Sequence, residues 1–565
     1  MAVKIWQETV CIPTYGVGER DRNPMFLEKR VYQGSSGRVY PWPVIDRIEE
    51  EKRDQPHLVV FLENEYIQIQ VMPELGGRIY RAIDKTNQYD FVYWNKVIKP
   101  ALVGLTGPWI SGGIEFNWPQ HHRPNTFGPV SYSLDDAAPD QKTIWLHETD
   151  RMYGTRVTTG ITVRDGVAAI EISSGLYNPT SEPQTFLWWA NPAVSVHEET
   201  QSIFPPDVHA VMDHGKRDVS RFPIATGTYY KMDYSKGVDI SRYKNIPVPT
   251  SYMAYHSEYD FVGGYDYRKK AGILHVADHH ISPGKKQWTW GNGEFGQAWD
   301  RNLTDEDGPY IELMTGVFTD NQPDFTWLAP HATKTFTQWF LPYKGIGEVK
   351  CANADILVGL SVANGEAVVR VYASKRVEDT RVRLVRHQAG NGLAEEAQVL
   401  LDKVVTVSPA GMVELCRQTD AQEWELTLSV TSQCTAPVVY TPAKPEALQL
   451  PEPARAIGAP ETLPNTEALL LAGLHLEQYR HATREPDPYY LEGLKRDPED
   501  LRLNNAYGNL LLRRGQYQEA QTLFEAAKRT ATRHSPNPYD GEVFFNLGKA
   551  RSEEHTSELQ SLSHL

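Results

Sequence analysis

Residues 106–126, TGPWISGGIEFNWPQHHRPNT, decide how the rest of this chain is read. Trp109, Glu115, Trp118, His121, His122 and Arg123 fall within that one short span. A carboxylate and two imidazoles exchange protons near neutral pH, while indole faces stack on the apolar side of a polar ring. The stretch therefore joins chemistry to grip. The bland alternative is a glycine-kinked strand pair with buried aromatics, but core strands rarely carry so many titratable groups beside their glycines.

Outward from it, the chain reads as β structure. Residues 3–12 alternate as an opening strand that Pro13 ends, and residues 25–46, with Gly34, Gly37, Pro41 and Pro43, form a loop. The runs LVVFLEN and YIQIQVM (residues 58–72) make a hairpin, and PELGGR (73–78) turns into a further strand. After the opening stretch come residues 130–134, 143–148, 156–163 and 167–176. Each is short, rich in β-branched residues and bounded by Asp, Gly or Pro, which is the spacing of a large antiparallel fold. In QTFLWWANPAVSVHEETQSIF (184–204), alternation places Trp189, Asn191 and Ala193 on one face and Trp188 and Ala190 on the other. Residues 205–250 read as an ordered excursion over one sheet face, the kind of segment that shapes sites.

A second dense cluster follows at residues 286–324, KQWTWGNGEFGQAWDRNLTDEDGPYIELMTGVFTDNQPD. Trp288, Trp290 and Trp299 accompany Asp300, Asp305, Glu312 and Asp324. Residues 310–315 form a compact strand that holds Glu312 between apolar neighbours, where burial raises a carboxyl's pKa. Asp300 and Asp305 suit turns and caps as well as catalysis. DRNLTDEDG lacks the ligand spacing of an EF-hand, and no metal or cofactor is expected in the chain.

Composition bounds the alternatives. At 565 residues the chain is too long for one core. Its formal charge of −15, spread along the chain without a basic stripe, argues against nucleic-acid or anionic-membrane partners. Cys11, Cys351, Cys416 and Cys434 form no CxxC pair, so neither a zinc knuckle nor a disulfide framework is expected. With no signal-peptide core and no long apolar window, a cytoplasmic location is expected.

These readings divide the chain. Residues 1–346 form a large β-supersandwich, 347–442 a small immunoglobulin-like β-sandwich serving as scaffold, and 443–464 a Pro- and Ala-rich linker. Residues 465–550 turn helical: Ala506, Gly508, Leu510, Gly515, Tyr517, Ala520 and Phe524 fit the small-and-large pattern of tetratricopeptide repeats, and the array reads as cut short. Residues 551–565, RSEEHTSELQSLSHL, lack that pattern and match the translation of a common sequencing-library adapter, so they are read as non-native.

Three pieces resemble the aldose 1-epimerases of galactose mutarotase-like fold. NEYIQIQVMPELGGRIYRAID looks like the family's entry hairpin, and SGGIEFNWP like the GGIxxxWP segment of hexose-6-phosphate mutarotases. YIEL, followed by LAPHATKTFTQWFLPY, looks like the catalytic-glutamate strand and the closing strand. The resemblance implies Glu312 as base for opening a sugar ring. Where such enzymes carry an acid His, this chain has Asn191 within WANP, leaving His121, His122 or His197 to supply the proton. The fusion of this domain to helical repeats also resembles a bacterial domain family of unknown function.

The combined reading is a carbohydrate-active protein working at the anomeric region of a sugar or oligosaccharide. Glu312, Glu115, His121 and His197 are the catalytic candidates, and Arg78, Trp109, Trp118, His122, Asn191, Trp290, Trp299 and Asp300 the substrate-binding ones. A glycoside hydrolase using Glu115 and Glu312 is one alternative. Another is a non-catalytic sugar sensor that reaches a protein partner through its repeats.

Overall fold

The structure is a computed structural model, and it describes residues 2–21, 39–322, 324–387, 398–444, 448–481 and 483–562, with side chains to 553. Most of the loop expected at residues 25–46 lies outside the described residues. The chain separates into two compact units, one reaching Ala454 and the other starting at Arg455.

The first unit is built on two large antiparallel sheets, of twelve and eight strands. Six strands in the middle of the larger sheet carry the argument: β1 (Arg78–Asp84), β2 (Ile114–Asn117), β3 (Trp189–Ser195), β4 (Thr250–Ala254), β5 (Gly284–Thr289) and β6 (Tyr310–Gly316). They lie side by side in the order β1-β2-β3-β6-β5-β4. Their inner face, with Ile79, Ile114, Phe116, Ala190, Val194, Ile311 and Leu313, packs on Ile144, Ile161, Ile172 and Phe340 of the eight-stranded sheet. This is a large antiparallel β-sandwich. Every residue of β6 is buried, the Glu312 carboxyl included, so neither face of the strand is left to solvent.

Two glycine sites set the spacing. Gly113 has φ +70°, and a Cβ there would lie 2.1 Å from the Ile79 carbonyl oxygen, so only glycine lets β2 close onto β1. A Cβ on Gly316 would sit 2.0 Å from the Trp189 indole, which occupies the space the glycine leaves open.

Pro13 does not end the opening strand, which runs Lys4–Val17. That strand is the edge of the sheet, where a residue without an N–H breaks no second ladder. The hairpin of residues 58–72 forms as expected, between Ile48–Glu63 and Ile67–Met72. The excursion has its own buried cluster, including Phe222, Tyr229, Tyr234, Ile240 and Tyr252, and two of its strands, Ala210–Met212 and Val219–Arg221, extend the twelve-stranded sheet.

Two four-stranded sheets form the smaller sandwich around Val369, Val371, Leu384, Leu428 and Val430. Its Leu357 and Tyr372 share a core with Phe261, Leu274, Val276 and Leu341 of the eight-stranded sheet. The smaller sandwich thus backs the sheet that does not carry β1–β6.

The second unit is helical. Leu501–Arg513 and Tyr517–Thr532 pack antiparallel, and a Cβ on Gly508 would strike the Phe524 ring at 2.6 Å, which is the small-on-large contact of the repeat pattern. The next helix runs Glu542–Leu562. Among the described residues no helix is long and apolar enough to cross a membrane, and all four cysteines are free.

Candidate functional site

Strand register decides which side chains meet. Asn191 is paired with Glu115, Ala193 with Glu312, Glu312 with Trp288, Ser251 with Trp288 and Met253 with Lys286. Directly paired residues, and residues two apart on one strand, share a face. Glu115, Asn191, Glu312, Lys286 and Trp288 therefore stand together on the outer face of the twelve-stranded sheet, opposite the core.

The first cluster is closed on itself. Glu115 Oε2 accepts from Trp109 Nε1 at 3.1 Å and meets His122 Nδ1 at 2.9 Å, and its Oε1 accepts from Thr126 at 2.5 Å. Arg78 spans the same loop, donating to the Ile110 and Gly112 carbonyls at 2.8 and 3.0 Å and to Thr126 at 3.2 Å. Burial alone would raise the Glu115 pKa, but His122, Arg78 and the Thr126 hydroxyl outweigh it and hold the carboxyl at about 2. Arg123 is paired with Glu148 and the Gly76 carbonyl, so it braces the loop.

The second cluster is less settled. Burial pushes the Glu312 carboxyl upward; His122, Lys286 and a hydrogen bond from Asn191 oppose that rise, while the Glu115 charge adds to it. Burial likewise pushes the Lys286 ammonium down, against the pull of Glu312. Lys286 donates to Gln322 Oε1, which turns the Gln322 amide nitrogen toward His121 Nδ1 at 2.7 Å. Burial first, and then the electrostatic influence of His122, Lys286 and His214, drives the His121 pKa far down, so this ring is neutral, and with Gln322 donating to Nδ1 its proton sits on Nε2. The His121 and His122 rings lie 3.7 Å apart.

His214 arrives from the excursion. Its Nδ1 is 2.9 Å from Ser251 Oγ, which Tyr230 meets at 2.7 Å, and its ring stands edge-on to Trp288 at 5.8 Å. Among the described residues, Asn191 Oδ1 and His214 Nε2 are buried without a hydrogen-bond partner. Buried polar atoms seldom go unpaired, and a ligand offering both donors and acceptors suits such a pair.

An aromatic wall flanks this face. Trp290 and Trp299 stack at 4.2 Å, Trp290 donates to the Tyr310 hydroxyl at 3.1 Å, and Tyr310 stacks on Tyr93. Trp299 lies on helix α1 (Glu294–Leu303) together with Asp300, whose carboxyl burial pushes up to about 6 against the pull of Arg301.

Other expected residues stand elsewhere. Trp118, at 1 % exposure, belongs to the main core, and Trp109 is spent on Glu115, so neither offers a stacking face. Asp305 ties Tyr15, Lys52 and Lys99 together as a structural node. His197 falls beyond the end of β3, where the chain has crossed to the eight-stranded sheet, and it sits against Asp266 and Arg268. Sequence reasoning passed over Lys286, Gln322, His214 and Thr126. Thr126, Lys286 and Gln322 lay inside the two quoted clusters, but nothing local marked His214.

Fold and site together define a large antiparallel β-sandwich domain with buried carboxyls on one sheet face, in a chain that ends in helical repeats. Residues 35–343 match the model of a domain-of-unknown-function family, DUF5107, and the chain belongs to that family. Residues 351–439 match the second domain of YphG-like proteins, and residues 489–522 a tetratricopeptide repeat. Among solved structures, a TPR-domain containing protein from Parabacteroides distasonis is similar at 16 % identity and a TM-score of 0.54, covering 98 % of this chain and 78 % of that one. A galactose mutarotase-like protein from Lactobacillus casei is 12 % identical with a TM-score of 0.34, over 50 % of this chain and 100 % of that one. A putative aldose 1-epimerase from Klebsiella pneumoniae is 12 % identical with a TM-score of 0.34, over 51 % and 80 %. At these identities the likeness concerns fold alone.

Proposed function

We propose that the outer face of the large sheet binds a sugar and interconverts its anomers by acid–base chemistry, with Glu312 as general base. The observation that carries this reading is a pair of carboxyls on one sheet face whose environments drive their proton affinities apart: Glu115 is held ionised at about 2, and Glu312 is pushed upward by burial. Such divergence is what assigns acid and base roles in known sites.

Glu312 accepts the proton of the anomeric hydroxyl as a proton is delivered to the ring oxygen, the ring C–O bond breaks, and reclosure on the other face of the carbonyl gives the second anomer. His122, which Glu115 holds beside Glu312, is better placed to deliver that proton than His197, which stands on the other sheet, and His121 is neutral. Glu115 grips His122 Nδ1 and orients the ring. Asn191 positions Glu312, and the Trp290–Trp299 wall offers a stacking surface. Hydrolysis with Glu115 as the second catalytic carboxylate is less well supported, because Glu115 is held by three donors.

Anomer exchange followed by polarimetry or NMR across a panel of free aldoses tests the reading, with Glu312→Gln as control. Loss of exchange in a folded variant is the expected result, and undiminished exchange overturns the proposal. The tetratricopeptide match favours a second reading, a sugar sensor that signals to a protein partner. It requires sugar binding without turnover that survives Glu312→Gln.

A further inference from the structure

We propose that the turn Asp278–His279–His280, between the strand Ala271–Ala277 and β5, binds one divalent transition-metal ion of the zinc, nickel or copper type. The proposal is independent of the sugar reading. Each of the three residues offers one ligand atom, and these atoms lie within 4.8 Å of one another. Two imidazoles and a carboxylate suit borderline ions of this kind, whereas calcium and magnesium prefer oxygen alone.

A residue outside the turn supports the assignment. Asp260, just before the strand Phe261–Asp266, places Oδ1 2.7 Å from His279 Nδ1 and takes the His279 backbone N–H at 2.8 Å. A metal-binding imidazole is almost always held this way, with a carboxylate on one nitrogen fixing the tautomer and leaving the other nitrogen for the metal. Asp260 thus acts as a positioning residue.

The other two ligands are ready to adjust. His280 is 78 % and Asp278 53 % exposed, their contact is 3.0 Å, and the His279 and His280 rings lie 3.9 Å apart. The backbone beneath them is already fixed. Ile281 and Ser282 donate to the Asp278 carbonyl at 3.0 and 2.7 Å, and Phe318 donates to the Ile281 carbonyl at 2.7 Å, so binding need not order a loop. Three protein ligands leave coordination positions for water or an external donor. The proposal departs from the expectation of no metal, which weighed the DRNLTDEDG loop and the cysteines and did not consider this turn.

The test is titration of the full chain, prepared without a polyhistidine tag, with zinc chloride by calorimetry and equilibrium dialysis, and with circular dichroism to check the fold of each variant. One equivalent of zinc is expected, with none at this affinity in His279→Ala/His280→Ala. Asp260→Asn should bind about 10- to 100-fold more weakly, as loss of an orienting carboxylate does. Equal binding by the double variant, calcium binding as tight as zinc, or no uptake of zinc, nickel or copper overturns the proposal.

Discussion

The two sequence clusters, residues 106–126 and 286–324, meet on one sheet face and treat their charges in opposite ways. In the first, each charge meets several partners, although Arg78 and Arg123 each keep a buried Nε unpaired: Glu115 has three donors, Arg78 three acceptors, and Arg123 pairs with Glu148. In the second, Glu312 and Lys286 are buried with fewer partners and each disfavours its own charge. A satisfied network fixes geometry, and an under-satisfied one keeps protons exchangeable. The contrast assigns support to Glu115, Arg78 and Arg123 and base chemistry to Glu312, with His122 reaching from the first cluster to the second.

The largest expected effect separates those roles by kinetics. Removing a general acid or base usually costs about 10²- to 10⁴-fold in rate. Glu312→Gln should lower kcat for anomer exchange by that factor, leaving KM and the melting temperature close to those of the parent. Progress curves on the sugar that the panel identifies measure it. An equal loss of stability would mean that the two clusters do not differ.

Stability should report the first cluster in turn. Removing one member of a buried, hydrogen-bonded ion pair costs about 3–5 kcal/mol, and Glu115→Gln should show that loss in denaturant unfolding at pH 7. The acid limb gives the sign. A carboxyl whose folded pKa is depressed to about 2 from 4.5 contributes stability above its unfolded value, and that contribution is lost as pH falls from about 5 through 2. The lost amount is about 3 kcal/mol at 1.36 kcal/mol per pH unit. Glu115→Gln should flatten this limb, and a limb as steep as the parent's would break the assignment.

The second cluster predicts the opposite change. Burial disfavours the charge on both Glu312 and Lys286, so neutralising the two removes a desolvation cost. Glu312→Gln/Lys286→Met should therefore be at least as stable as the parent while inactive. Marked destabilisation of this double variant would show that the pair holds the fold together.

How much of this was legible in the sequence follows from the range of the interactions. Alternation in WWANPAV placed Trp189 and Asn191 on one face because strand periodicity is local, and the registers agree. Glu312 stood out because a lone carboxylate in an apolar strand is a local anomaly. The match of His121 with Gln322 was not legible, since the two are 201 residues apart and meet only through sheet order. The same limit hid the different standing of Trp118 and Trp299. Both are tryptophans in dense clusters, yet cross-sheet packing buries one and leaves the other half-exposed. His197 misled because a strand leading toward the site ended two residues before it and the chain changed sheets.

The smallest expected effect tests the aromatic wall against the core. Aromatic stacking contributes about 0.5–1.5 kcal/mol beyond buried area, so Trp299→Ala should weaken sugar binding roughly two- to twelve-fold and raise KM with little change in kcat. Trp299 is half-buried, and Trp290 retains its bond to Tyr310, so the fold should survive. Trp118→Ala instead empties a core position and should cost about 3–5 kcal/mol of stability. Calorimetric titration with sugar beside thermal melts separates the two. If Trp299→Ala leaves affinity untouched, the stacked pair serves α1 packing and the ligand lies nearer Trp288 and His214.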